Sequence, residues 1–281
     1  MGVGTIMGGF NTVIAHGLGQ SLGDTHVTAE PFYSVETVWY VNSATGVDAA
    51  DPNGRSPAKP FATLGYAVTS SGSQDTIVLM DGHAETIAAA ITPNSGQIIV
   101  GGGSSGGLPT AKLTLNAAAS GMFTVSGAWV QFRNIWFNAN AQANTTPMIT
   151  VTGASFLLKD CYFQMAQYDD NVAVKLTTGA AYPRIEGTTF VSTATALTAQ
   201  PYTPVLIDAV LAGITLSGVT FDGGTTGFST GYAMLVSAGV TGMRIEDLTL
   251  ANGSDIYISS GSATVTVSGI TSDDSAAIRW A

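Results

Sequence analysis

Apolar and polar positions repeat along the second half of the chain. Between Met122 and Ser275 one line recurs six times: VQFRNIWFN from Val130, FLLKDCYFQ from Phe156, PRIEGTTFV from Pro183, ITLSGVTFD from Ile214, MRIEDLTLA from Met243 and VTVSGITSD from Val265. Self-similarity of this kind marks a repeat architecture. The first position (Val130, Phe156, Pro183, Ile214, Met243, Val265) and the third (Phe132, Leu158, Ile185, Leu216, Ile245, Val267) are apolar throughout, and the positions between them are mixed. That period-two alternation predicts a half-buried strand. The fifth position reads Asn134, Asp160, Gly187, Gly218, Asp247 and Gly269. These residue types enter the left-handed backbone region most cheaply, so a tight bend is predicted there. The chain then turns inward again at Ile135, Cys161, Thr188, Val219, Leu248 and Ile270. A further inward series runs Phe137, Phe163, Phe190, Phe221 and Leu250, with Ser272 breaking it.

A second phrase precedes the lines, an apolar strand ending in Gly, as at Gly127, Gly153, Gly179 and Gly261. Each repeat is therefore strand, Gly turn, strand, bend, strand and a loop of variable length. Three short strands per turn, stacked coil on coil, make a parallel β-helix, because one coil cannot bury its inner face alone. An antiparallel sandwich also contains many short strands, but it rarely sets the same residue type in the same position six times.

Residues 38–87 carry a family resemblance. Asp51, Gly54, Ser56, Pro60, Phe61 and Thr63 form a loop motif, and Asp75, Thr76, Ile77, Leu79, Gly82 and Glu85 form a first-coil motif. Together they resemble the leading segment of pectate-lyase-like right-handed β-helix proteins, of the kind found in phage virion proteins and tailspikes. Two positions depart from the pattern: Gln74 stands where Gly is usual, and His83-Ala84 where Tyr is common. With the later coils the resemblance covers about residues 38–275. It implies an all-β fold, a right-handed single-stranded parallel β-helix with a short capping helix, to which the Gly-rich first residues add an N-terminal arm. It implies little about activity, since this fold hosts lyases, hydrolases, adhesins and tailspikes. The expected organisation is an arm over residues 1–35 and a β-helix over 36–281, with a capping segment at about 51–70 and regular coils at about 76–275. Phe61, Leu64, Tyr66, Ala67 and Val68 are expected to close the first end of the stack, as repeat arrays require.

Composition narrows the partners. Nine Lys and Arg against nineteen Asp and Glu argue against nucleic acid, which needs a basic patch. No apolar run is long enough to span a membrane as a helix. The first residues lack the basic region of a signal peptide. Residues 1–35 are instead Gly-rich, with Ile6, Met7, Phe10, Val13, Ile14 and Leu18 between the glycines. They are expected to form an anchoring arm docked on a larger assembly.

Candidate chemistry is sparse. Glu186 and Glu246 share an outward column with Ser217 between them, which sets them ~10 Å apart by strand spacing. That is loose for a catalytic carboxylate pair. Asp160 and Asp247 are explained by the bend, and Lys159 stacks beside Glu186 as a surface ion pair. Cys161 falls at an inward position and is expected to be a buried thiol. No Cys/His spacing suits zinc, so no metal, cofactor or catalytic residue is assigned. Trp136 and Tyr162 share an outward column on adjacent coils and are candidate glycan or subunit contacts. The function expected is a structural virion protein on a phage capsid surface. It would be a trimeric head-decoration protein held to the major capsid protein or another virion protein through its arm. The alternative is a tailspike or polysaccharide-degrading lyase or hydrolase that meets a surface glycan.

Overall fold

The computed structural model describes residues 37–50, 53–116, 121–139, 146–165, 172–193, 203–225, 227–228, 232–252, 255–258, 264–272 and 278–280. The arm residues Ile6, Met7, Phe10, Val13, Ile14 and Leu18 therefore lie outside the described residues, as do Asp51 and Gly261. What is described is a parallel β-helix with one helix, Leu64–Ser70.

Three stacks of parallel strands wind along the axis. The first contains Gln131–Arg133, Leu157–Lys159, Arg184–Glu186 and Thr215–Ser217 and begins with Val38–Val41. The second contains Trp136–Asn138, Tyr162–Met165, Thr189–Ser192 and Thr220–Asp222. These two stacks merge through the long strand Met243–Ala251, which pairs with both and then with Val265–Ser272. The third runs from Phe123–Val125 to Ile278–Trp280. The register follows the sequence columns residue for residue: Gln131, Leu157, Arg184, Thr215, Arg244 and Thr266 are successive Cα partners.

The bend column explains how two strands meet at a corner. Asn134, Asp160, Gly187, Gly218, Asp247 and Gly269 all have positive φ, between 50° and 65°. One left-handed residue turns the chain without breaking the ladder, and Asn, Asp and Gly bear it most cheaply. Inside the corner Phe137, Phe163, Phe190 and Phe221 are fully buried. Their rings stack at 4.6, 4.8 and 5.1 Å, within 22° of parallel. Those separations match the strand spacing of about 4.8 Å, so the coil rise itself sets the ring contact.

The first end is closed by the segment that carries the resemblance, and Gly54, Phe61, Thr63 and Glu85 of its motifs hold that closure. Phe61 stacks on Trp39 at 5.6 Å and meets Tyr66 edge-on. A Cβ at Gly54 would lie 2.2 Å from the Phe61 ring, which explains the glycine. Thr63 caps the helix by accepting from the Tyr66 N–H, and Asp48 accepts from the backbone of Ala62 and Thr63. Leu64, Ala67 and Val68 are buried against the coils. Phe61 precedes the helix and bridges to Val41, so the cap is part loop and part helix.

Gln74 has φ 67°, which accounts for the glycine usual at this position. A β-carbon there costs about 1 kcal/mol, so Gln74→Gly is expected to raise Tm by about 2 °C. An unchanged or lower Tm by calorimetry would show that side-chain contacts of Gln74 outweigh the strain.

Candidate functional site

The corner that joins the first and second stacks is where the surface departs from regularity. In later coils a two-residue step, such as Asn134-Ile135, separates the two strands. In an early coil the strands Ile98–Gly101 and Lys112–Leu115 are instead separated by residues 102–111. This insertion forms a small antiparallel hairpin, Ser104–Ser105 against Leu108–Pro109. The Asn134 side-chain amide donates to the Gly101 and Gly103 carbonyls at 2.8 and 3.0 Å and so pins the hairpin root. The Thr110 hydroxyl donates to Asp81 on the preceding coil.

Between the hairpin and the following corners lies a groove of about 330 Å³. Ser104, Gly107, Leu108 and Pro109 form one wall, and Asn134, Asp160, Gly187, Tyr162 and Thr189 form the floor and opposite wall. A Cβ at Gly187 would lie 2.3 Å from the Asp160 carboxylate, so the glycine lets that carboxylate lie along the corner. Partial burial raises the Asp160 carboxyl above its ordinary value; Lys159 opposes the rise, Glu186 adds to it and Arg133 opposes it. Burial likewise raises the Tyr162 phenol, helped by the Asp222 carboxylate.

A carboxyl with a raised folded pKa favours the folded state when protonated. Its contribution is present at low pH and lost as pH rises through the folded value. Asp160→Asn is therefore expected to raise Tm at pH 7 and to bring no gain at pH 3. Equal Tm for both proteins at pH 7 would contradict the assigned burial.

Trp136 and Tyr162 are direct Cα partners, and their rings meet edge to face at 5.6 Å. They are not equivalent. The Lys112 ammonium sits 4.5 Å over the Trp136 ring, and the Trp136 Nε1 is buried with no hydrogen-bond partner among the described residues. Tyr162 alone of the pair lines the groove.

The other candidates are held in local pairs. Glu186 pairs with Arg184 on its own strand and with Lys159 on the preceding coil at 3.8 Å. Glu246 pairs with Arg244. On the third stack Lys175 meets Asp208 at 2.8 Å and Arg279 meets Asp255 at 2.7 Å. Asp222 accepts from the Gly224 N–H and the Asn252 amide. His83 is wholly buried at the first end; its Nδ1 accepts from the Ser43 N–H, which leaves Nε2 to donate to Glu85. Glu85 also accepts from Leu64 N–H at the start of the helix, so the pair ties the cap to the first coil. In the sequence His83 stands only as a departure from the family pattern and Glu85 as a motif residue; nothing there joins the two or brings Ser43 to them. Among the described residues no group of three His, Cys, Asp or Glu could hold a metal ion.

Cys161 is buried, and desolvation pushes its thiol up to about 12. It is expected to resist iodoacetamide at pH 8 in the native protein and to react once unfolded. Rapid alkylation without denaturant, read by mass spectrometry, would contradict its placement.

The fold and this surface define a parallel β-helix. No protein-family model matches the chain, and no curated protein matches it. Among solved structures it resembles the crystal structure of pectate lyase Pel9A, with a TM-score of 0.52 and 13% identity over 84% of this chain and 69% of that one. An alginate lyase from Paenibacillus sp. str. FPU-7 overlays with a TM-score of 0.43 at 12% identity, over 77% of this chain and 94% of that one. A rhamnogalacturonan lyase gives 0.37 at 11% identity, over 87% of this chain and 62% of that one. At these identities the likeness concerns the fold.

Proposed function

We propose that this chain is a structural β-helix of a bacteriophage virion, a head-decoration protein held to the major capsid protein by residues 1–35 and assembled as a trimer. The observation that carries the reading is the use made of the charged side chains. Arg184, Arg244, Lys159, Lys175 and Arg279 each meet a carboxylate on the coil surface. His83 and Glu85 are spent on the cap. A scaffold needs such neutralised stacks, whereas a catalytic centre needs titratable groups aimed at a substrate. The charge-free, Gly-rich stretch of residues 1–23 suits an anchor that docks by apolar contact.

Quantitative mass spectrometry of purified particles tests this. A copy number near that of the major capsid protein is expected. Absence from particles overturns the reading, and a copy number far below the capsid protein moves the chain to the tail.

The second reading is a polysaccharide-binding or polysaccharide-cleaving β-helix such as a tailspike. The groove beside Tyr162 favours it, as does the likeness in fold to pectate lyase Pel9A.

A further inference from the structure

We propose that the groove under the 104–109 hairpin is a binding site for a neutral saccharide, with Asp160 as hydrogen-bond acceptor and Tyr162 as the apolar wall. The proposal is independent of the virion reading.

The groove is built rather than incidental. Its roof is an insertion at a corner that later coils turn with a single left-handed residue. The roof is anchored from two sides, by Asn134 to Gly101 and Gly103 and by Thr110 to Asp81. At about 330 Å³ it falls in the lower part of the range for small-molecule sites, roughly 300–1,000 Å³.

Its lining selects the ligand class. Leu108, Pro109 and the Tyr162 ring offer apolar surface, while Ser104, Asn134, Asp160 and Thr189 offer polar groups. A sugar ring presents that combination, apolar C–H faces with hydroxyls around the edge. A carboxylate accepting from hydroxyls makes charge-assisted hydrogen bonds, which are stronger than neutral ones. Among the described residues of the lining Asp160 is the one that is charged, and it is negative. The nearby cations are engaged elsewhere: Lys112 lies over Trp136, Lys159 meets Glu186, and Arg133 donates to Gln131. A uronate or other anion would bring like charge to Asp160, whose neighbouring cations Lys159 and Arg133 are already held by Glu186 and Gln131, so a neutral saccharide is favoured over an acidic one.

The fold supplies its own control. Asp247 occupies the same bend two coils after Gly187, and a Cβ at the following glycine, Gly269, would lie 2.5 Å from its carboxylate, as one at Gly187 would lie 2.3 Å from that of Asp160. It does not line the groove. Asp160→Gly and Asp247→Gly each place at the bend a residue that three other coils already carry there, so both variants keep the corner.

The experiment titrates the full chain with cellotriose, maltotriose, mannotriose, galactotriose and trigalacturonate by saturation-transfer NMR. At least one neutral trisaccharide is expected to bind. Asp160→Gly and Tyr162→Ala should each weaken it about tenfold, Asp247→Gly should leave it unchanged, and trigalacturonate should bind more weakly. The proposal is overturned if no neutral trisaccharide binds, if the two groove variants bind as the wild type does, or if trigalacturonate binds most tightly.

Discussion

Phe190→Ala is expected to lower the unfolding free energy by about 3–5 kcal/mol. Phe190 is fully buried, with Phe163 at 4.8 Å on one side and Phe221 at 5.1 Å on the other. Removing the ring strips both contacts and leaves a cavity that cannot collapse, because hydrogen-bonded strands on both sides fix the coil spacing. Phe190→Leu should cost much less, about 1.5 kcal/mol, since Leu250 already fills the same column two coils further on. Equal costs for the two variants in denaturant titrations would contradict the stacked column.

Gly153→Ala is expected to cost about 3 kcal/mol, near the upper end for overpacking. The reason is a collision between coils rather than a backbone angle. A Cβ at Gly153 would lie 2.1 Å from the Gly127 carbonyl oxygen and 2.7 Å from its carbon. Both atoms belong to the preceding coil's turn, so relief requires the stack to open. Gly82→Ala is the contrast: φ there is 73°, but a Cβ meets nothing within 4 Å. Only the left-handed strain remains, about 1 kcal/mol. A milder effect at Gly153 than at Gly82 would show that the turns do not stack as described.

The coils were legible because two independent signals coincide in each line, although Val267 and Ile270, expected inward, stand exposed in the last line, where the strand Val265–Ser272 is largely open to solvent. Period-two alternation marks the strands, and an Asn, Asp or Gly column marks the corner. The positive φ at Asn134, Asp160 and Asp247 shows that the column identifies a backbone state and not merely a polar position. The groove was not legible. Its roof comes from GGGSSGGLPT, residues 101–110, a run with no periodicity whose hairpin depends on anchors at Asn134 and Asp81. Asp160 was read as a bend residue, which it is, but nothing local in sequence says that a hairpin begun more than fifty residues earlier faces it. Trp136 illustrates the same limit. Its outward position follows from alternation, while the Lys112 ammonium over its face comes from the preceding coil.

The central claim is a β-helix that displays a surface without turning a glycan over. The most direct test is to incubate the full chain with polygalacturonate, alginate, rhamnogalacturonan and host surface glycans, and to measure new reducing ends and new absorbance from unsaturated products. No new ends above the buffer control are predicted for any of them. Sustained release of oligosaccharides, abolished by changing Glu186 or Glu246, would contradict the account and make the chain an enzyme.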